Sequence, residues 1–359
     1  MNITVIGCGR WGSLITWYLD HIGHRVTLYG RSTSPKMQAF LATRQNDLLT
    51  LPESVALSTD LAAALDGAET VIISIGSQNL RSLLGQPELQ ALRERTVVLC
   101  MKGLEMGTGA RLSQIASACL HPSNAVAVWL GPGHVQEFYR GIPNCMVIDS
   151  ENDAVKRRLV QSFSSDLIRF YYGGDMIGNE VGAAAKNVVG IAAGFLDGFE
   201  MGSLKGALMS RGTREVARLI KAMGGSELSA YGLCHLGDYE ATVFSPYSHN
   251  RQFGEAFVRG QDYHQLAEGY YTVKALMLLG KKYGVELPIC KAVHDILYER
   301  AVPKDVLAGL LRRGLTTEVQ NQMNKKVSVW SQCRQRLFYS GEPRAGNRGG
   351  GCIPPERRV

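Results

Sequence analysis

Short apolar runs separated by longer amphipathic stretches set the pattern of the first half of the chain. Residues 3–6 and Arg25–Tyr29 read as strands, with a helix over about 10–22 between them. Further β-rich runs follow at 70–75, 96–101, Ala125–Leu130, 144–148 and 167–171. Most lack strict polar alternation, which is the signature of strands buried on both faces of a parallel sheet. Strands alternating with helical stretches predict a doubly wound, mostly parallel α/β domain. From about residue 177 to 311 the period becomes helical and no convincing strand remains. Helices are expected over 182–199, 213–223, 251–258, 263–283 and 289–298, with Pro288 placed to open the last of these. The run over 182–199 is rich in Ala, Val and Gly, so this helix is expected to be buried on most sides. The predicted organisation is a doubly wound α/β domain over 1–175, an all-helical domain over 176–323 and a basic, poorly ordered tail over 324–359.

Composition changes this picture little. The chain has 359 residues, 45% of them apolar, which suits a two-domain globular protein. The first residues lack a basic n-region and a long apolar segment, and no later run approaches the ~20 residues of a membrane span. The expectation is a cytoplasmic protein without integral membrane association. Eight cysteines show no CxxC spacing and read as reduced thiols, with neither a metal site nor disulfides expected. The net charge of +7 hints at a polyanion, but its distribution removes the hint. Residues 324–359 hold eight basic and two acidic residues, hence +6 of the +7. The body is near neutral, and no nucleic-acid partner is expected.

The first strand runs into Gly7-Cys8-Gly9-Arg10-Trp11-Gly12, a G-x-G-x-x-G at a strand-to-helix junction. The first glycine permits a tight turn and the second lets the backbone approach a pyrophosphate. The third allows the helix to pack closely on the strand. Phosphates then meet the unpaired N–H groups of the helix N-terminus. An acidic residue after the second strand would bind the ribose 2′-hydroxyl of NADH. The chain has Tyr29-Gly30-Arg31 there instead. Arg31 can pair with a 2′-phosphate, lie against the adenine or remain solvated. The cofactor is read as NADPH or NADH, with NADPH favoured.

The order of further motifs resembles the NAD(P)-dependent glycerol-3-phosphate dehydrogenases of bacteria. It runs Lys102-Gly103-Leu104-Glu105, Gly131-Pro132, Gly182-Ala183-Ala184-Ala185-Lys186-Asn187, Leu236-Gly237-Asp238, Ser248-His249-Asn250-Arg251-Gln252-Phe253-Gly254 and Glu268-Gly269, and covers residues 1 to about 315. The resemblance implies a Rossmann domain followed by an all-helical domain, an architecture like that of 6-phosphogluconate dehydrogenase, with the active site between them. It implies reduction of dihydroxyacetone phosphate to sn-glycerol 3-phosphate, a phosphorylated small molecule as partner, and a product that feeds phospholipid synthesis. A homodimer is compatible with it.

The resemblance makes Lys186 the proton donor and acceptor. A lysine among small apolar residues loses hydration, which lowers its pKa and suits this task. Asp238 becomes a substrate-site carboxylate beside it, although Asp after Gly equally suits an Asx turn or a helix cap. Lys102, behind the run 96–101, becomes a residue that contacts both cofactor and substrate. Val135 and Glu268 join Arg10, Trp11, Arg31 and the three glycines as cofactor residues by the same implication. Gly131, Gly133, Ser248, His249, Asn250 and Arg251 are implied for the substrate, with Arg251 also reaching the cofactor. Ser and Asn at 248 and 250 also suit a plain N-cap.

Two positions depart from the family's usual pattern. Position 249 is His where the family commonly has Arg, and Arg251 or another base is left to compensate. Position 133 is Gly where a serine is frequent, so a hydroxyl contact is lost. Other readings of the same motifs are a related two-domain reductase of the ketopantoate or hydroxyisobutyrate type and a catalytically silent dinucleotide-binding sensor.

Overall fold

The structure, a computed structural model, describes residues 1–312. The basic segment 324–359 lies outside the described residues. Eight strands form one sheet in the order β3-β2-β1-β4-β5-β6-β7-β8. They are β1 Asn2–Ile6, β2 Arg25–Tyr29, β3 Ala56–Ser58, β4 Thr70–Ile73, β5 Thr96–Leu99, β6 Ala125–Leu130, β7 Asn144–Ser150 and β8 Ile168–Tyr172. Only the β6–β7 pairing is antiparallel. The order reverses between β1 and β4, the switch point outside which open α/β sheets bind ligands. Every residue of β4 and β5 is buried, as expected of central strands covered by helices on both faces.

The pattern of apolar positions overshoots two strand ends. The run 96–101 extends past Leu99 because Cys100 and Met101 stay buried beyond the strand, and the run 70–75 extends past Ile73 through the half-buried Ser74 and Ile75. Those extra residues form the floor of the cleft described below. Strand β3 has three residues, too few for any period to register.

Beyond the sheet the described chain is helical. Its axis is the central helix Met176–Gly198, nearly all of it buried, opened by Asp175 accepting from the Gly178 N–H. Small residues let its neighbour, helix His249–Val258, come very close. A Cβ at Gly194 would lie 2.1 Å from the Arg251 carbonyl oxygen, and one at Gly254 2.2 Å from that of Ile191. This contact carries the segment Ser248–Asn250 to the flank of Lys186. Helix Lys205–Ala222 starts two turns before the expected 213, held there by Lys205 on Asp197 at 2.6 Å. Helix Glu268–Tyr283 starts five residues later than the expected 263, because the chain before it crosses the mouth of the cleft at Leu266. Helices Pro288–Tyr298 and Pro303–Leu311 complete the described part, the latter unanticipated. No helix among the described residues is long and apolar enough to cross a membrane.

Buried polar contacts tie sheet and helices together. Arg111 after β5 meets Glu180 of the central helix at 2.5 Å, and Glu180 also accepts from the Ser113 N–H at 2.9 Å. Burial raises the pKa of Glu180, and the Arg111 charge and Ser113 bonds oppose that rise. Removing either partner would leave the other buried and unpaired.

Candidate active site

The glycine loop closes on itself as the fingerprint requires. Gly7 has φ +116°, and a Cβ there would lie 2.2 Å from the Ser74 carbonyl oxygen. A Cβ on Gly12 would lie 1.9 Å from the oxygen of Gly7, so the helix Arg10–His21 could not otherwise pack on β1. Gly9 faces open space. A cavity of about 630 Å³ starts at this loop and runs over Tyr29, Gly30 and Arg31 at the end of β2. A glycine loop with nothing over Gly9, at the N-terminus of a helix and the switch point of the sheet, fits a dinucleotide pyrophosphate.

A second cavity of about 300 Å³ lies against the first and shares Trp11, His249 and Leu266 with it. Lys102, Lys186 and Asp238 line it. Lys186 projects from the central helix, and its Nζ donates to Asp238 Oδ2 at 2.9 Å and to Thr242 Oγ1 at 2.8 Å. Lys102, after β5, donates to the same Oδ2 at 2.7 Å and to the Gly131 carbonyl at 2.5 Å. Two ammonium groups therefore share one carboxylate oxygen, and a net positive charge remains at the end of the cavity. Burial pushes the Lys186 pKa down to about 8. The Asp238 charge opposes this fall and the Lys102 charge adds to it.

Asp238 closes the short helical turn Leu236–Asp238, and its carboxylate faces the lysines rather than capping a helix. Its place is fixed by His235, whose Nδ1–H donates to the Gly182 carbonyl at 2.8 Å while Nε2 accepts from the Tyr239 hydroxyl. Burial holds the His235 pKa near 4, so the imidazole stays neutral and keeps this tautomer. Asp238 Oδ1 is buried and has no partner among the described residues. The same holds for Trp11 Nε1 and His134 Nε2, both from residues that line this cavity. Buried orphans of this kind are costly and point to a polar ligand.

Other expected site residues fall in several places. Ser248 lines the cavity and caps its helix, accepting from the Arg251 N–H. Asn250 lines it too, with Nδ2 donating to Asn187 Oδ1 at 3.0 Å and Oδ1 accepting from the Gly269 N–H. Asn187 Nδ2 in turn donates to the Lys102 carbonyl at 2.8 Å, so one amide chain links the lysine loop to the central helix. Gly133 borders the cavity. Glu268 opens its helix and accepts from the Ser77 N–H at 2.9 Å and the Ser77 hydroxyl. Gly131 enters only through its carbonyl, and Val135 is buried in the hydrophobic core instead of facing either cavity.

Arg251 is the main correction. Its Nη1 lies 2.7 Å from Asp197 and 2.9 Å from Glu255, and Nε donates to the Ser245 carbonyl. It lines neither cavity. On a helix starting at His249, residues 250 and 251 project on different sides, and the acidic partner on the central helix captures 251. Sequence reasoning missed Asn187, Thr242 and His134. The first stands next to Lys186 and was readable. The other two lie far from it along the chain.

Comparison with known proteins identifies the family of this fold. The family model described as NAD-dependent glycerol-3-phosphate dehydrogenase N-terminus matches residues 2–156, and the corresponding C-terminus model matches 175–308. A glycerol-3-phosphate dehydrogenase [NAD(P)+] of Rhodospirillum rubrum is 34% identical over 88% of this chain and 94% of its own length. One from Geobacillus kaustophilus is 33% identical over 90% and 98%. The crystal structure of glycerol-3-phosphate dehydrogenase from Coxiella burnetii matches with a TM-score of 0.80 at 28% identity, over 87% of this chain and 99% of that one. With two family models covering most of its length in the expected order, this chain belongs to the NAD-dependent glycerol-3-phosphate dehydrogenase family.

Proposed function

We propose that this chain reduces dihydroxyacetone phosphate to sn-glycerol 3-phosphate with NADPH or NADH, and that Lys186 supplies the proton. The observation that carries the assignment of Lys186 is the pair of lysines on one oxygen of Asp238 at the end of the smaller cavity. The nicotinamide, when bound, supplies the hydride that reaches C2 of the ketone. As charge develops on the C2 oxygen, the Lys186 ammonium gives it a proton. Asp238 holds Lys186 and Lys102 in place, and its orphan Oδ1 accepts from a substrate hydroxyl. Lys102 adds positive charge to the same end of the cavity. In the reverse direction neutral Lys186 takes the proton back. The division at residue 175 gives the chain a cofactor part built on the sheet and a substrate part built on the central helix. The family's usual role, supply of glycerol phosphate for phospholipid synthesis in the cytoplasm, is carried over with this reading.

A pH profile tests the proton assignment. Below about 8 the Lys186 ammonium is intact and can act as an acid. The kcat/KM for ketone reduction should therefore fall as pH rises through about 8, while that for alcohol oxidation rises through the same range. Profiles that move together, or show no inflection there, would contradict Lys186 as the proton carrier.

Arg31 addresses the choice of cofactor. It lines the larger cavity at the end of β2, where a ribose 2′-phosphate would lie. Arg31→Ala should raise the Kd of NADPH ~10-fold and that of NADH far less, read by fluorescence titration. Equal effects would remove Arg31 from the selectivity.

A further inference from the structure

A phosphorylated ketone brings a dianion into the cleft beside a cofactor pyrophosphate, and charges of this kind are met by guanidinium or ammonium groups. The smaller cavity offers two cations, Lys102 and Lys186, and both are engaged by Asp238. Arg251 is neutralised by Asp197 and Glu255 outside the cavity. His249 lines both cavities, but burial and the nearby charges of Arg10 and Lys36 lower its pKa and so disfavour the charged imidazole. Arg31 stands by the β2 end of the larger cavity, and Lys36, on the same wall, acts on His249 through its charge without a hydrogen bond to it.

One cation on the wall of the larger cavity touches the shared residue His249 directly. Arg10, in the glycine loop, pairs with no carboxylate among the described residues, and its Nη1 meets His249 Nε2 across the cleft. A guanidinium has five N–H donors, and this contact uses one. The contact fixes the plane of the guanidinium and leaves the other donors for oxygen acceptors. His249 is the one polar side chain of Ser248–Asn250 that borders both cavities.

We infer that Arg10 is the guanidinium that binds the phosphoryl group of the substrate, with His249 as the residue that aligns it. The inference rests on the substrate reading given above. In this chain the cation comes from the cofactor loop and the aligning group from the helical part. The same guanidinium thus joins the cofactor's phosphates to the substrate's.

Two measurements on Arg10→Gln and Arg10→Lys test this. The first is the ratio of kcat/KM for dihydroxyacetone phosphate to that for unphosphorylated dihydroxyacetone. It should fall ~10- to 100-fold in Arg10→Gln, the worth of a charge-assisted contact, and recover in part in Arg10→Lys. The second is calorimetric binding of inorganic phosphate to the protein without cofactor, which should weaken in the same order. His249→Ala should lower the ratio less than Arg10→Gln does. An unchanged ratio with only the NADPH Kd raised would overturn the inference, since Arg10 would then serve the cofactor alone. A wild type that turns over both ketones equally would instead overturn the substrate reading. The calorimetry then decides separately, because phosphate affinity untouched by Arg10→Gln removes Arg10 as an anion site. Melting curves of both variants separate these outcomes from misfolding.

Discussion

Lys186→Ala is expected to lower kcat for ketone reduction ~10³-fold, within the ~10²–10⁴ that positioned proton transfer contributes. The Kd for NADPH should stay at its wild-type value, because Lys186 lines the smaller cavity and is absent from the walls of the larger one. Lys186→Arg separates charge from chemistry. Arginine keeps the cation beside Asp238 but does not release a proton at these pH values. It should be nearly as slow as the alanine variant. Rapid turnover by Lys186→Arg would show that position 186 supplies only electrostatics.

Asp238→Asn should have the second largest effect, through two routes with different signatures. Asp238 is 1% exposed and holds both lysines through one oxygen. Its neutralisation leaves two ammonium groups facing each other without a counter-charge. Breaking a buried pair in this way costs about 3–5 kcal/mol of stability, visible as a lower melting temperature. The catalytic signature is a shift. Asp238 opposes the burial that already brings Lys186 down to about 8, so its loss sends that pKa lower. The inflection in the reduction profile should move to lower pH, and kcat at neutral pH should fall ~10²-fold as the amine loses both proton and position. A fall in rate with the inflection unmoved would place Asp238 in substrate binding alone.

These effects depend on contacts the sequence could and could not disclose. The doubly wound sheet was legible because buried parallel strands leave dense apolar runs, and the glycine loop because close approach permits no side chain. Lys186 was legible as a charge set among small residues. Its surroundings were not. Lys102 and Asp238 meet across 136 positions, and Thr242 reaches Lys186 across 56. No local period encodes such pairings, so Asp238 read equally well as a turn residue. Motif order suggested it, through the resemblance, where spacing was silent.

Arg251 marks the opposite failure. Within Ser248-His249-Asn250-Arg251 an arginine is the natural anion ligand, and the motif gives no warning of Asp197. The capturing carboxylate lies on the central helix, and the capture depends on how closely Gly194 and Gly254 let the two helices pack. In the sequence Arg10 is simply one residue of the cofactor fingerprint. Its contact with His249 spans 239 positions and becomes visible only when the cleft is assembled.

The activity expected of this chain is hydride transfer from a nicotinamide to a phosphorylated triose ketone. The most direct test is steady-state oxidation of NADPH and NADH by the wild-type protein with dihydroxyacetone phosphate or dihydroxyacetone, the product identified chirally. The expected result is one sn-glycerol 3-phosphate formed per reduced cofactor consumed, with the phosphorylated ketone strongly preferred. Equal turnover of both ketones, or cofactor binding without turnover of either, would contradict the account.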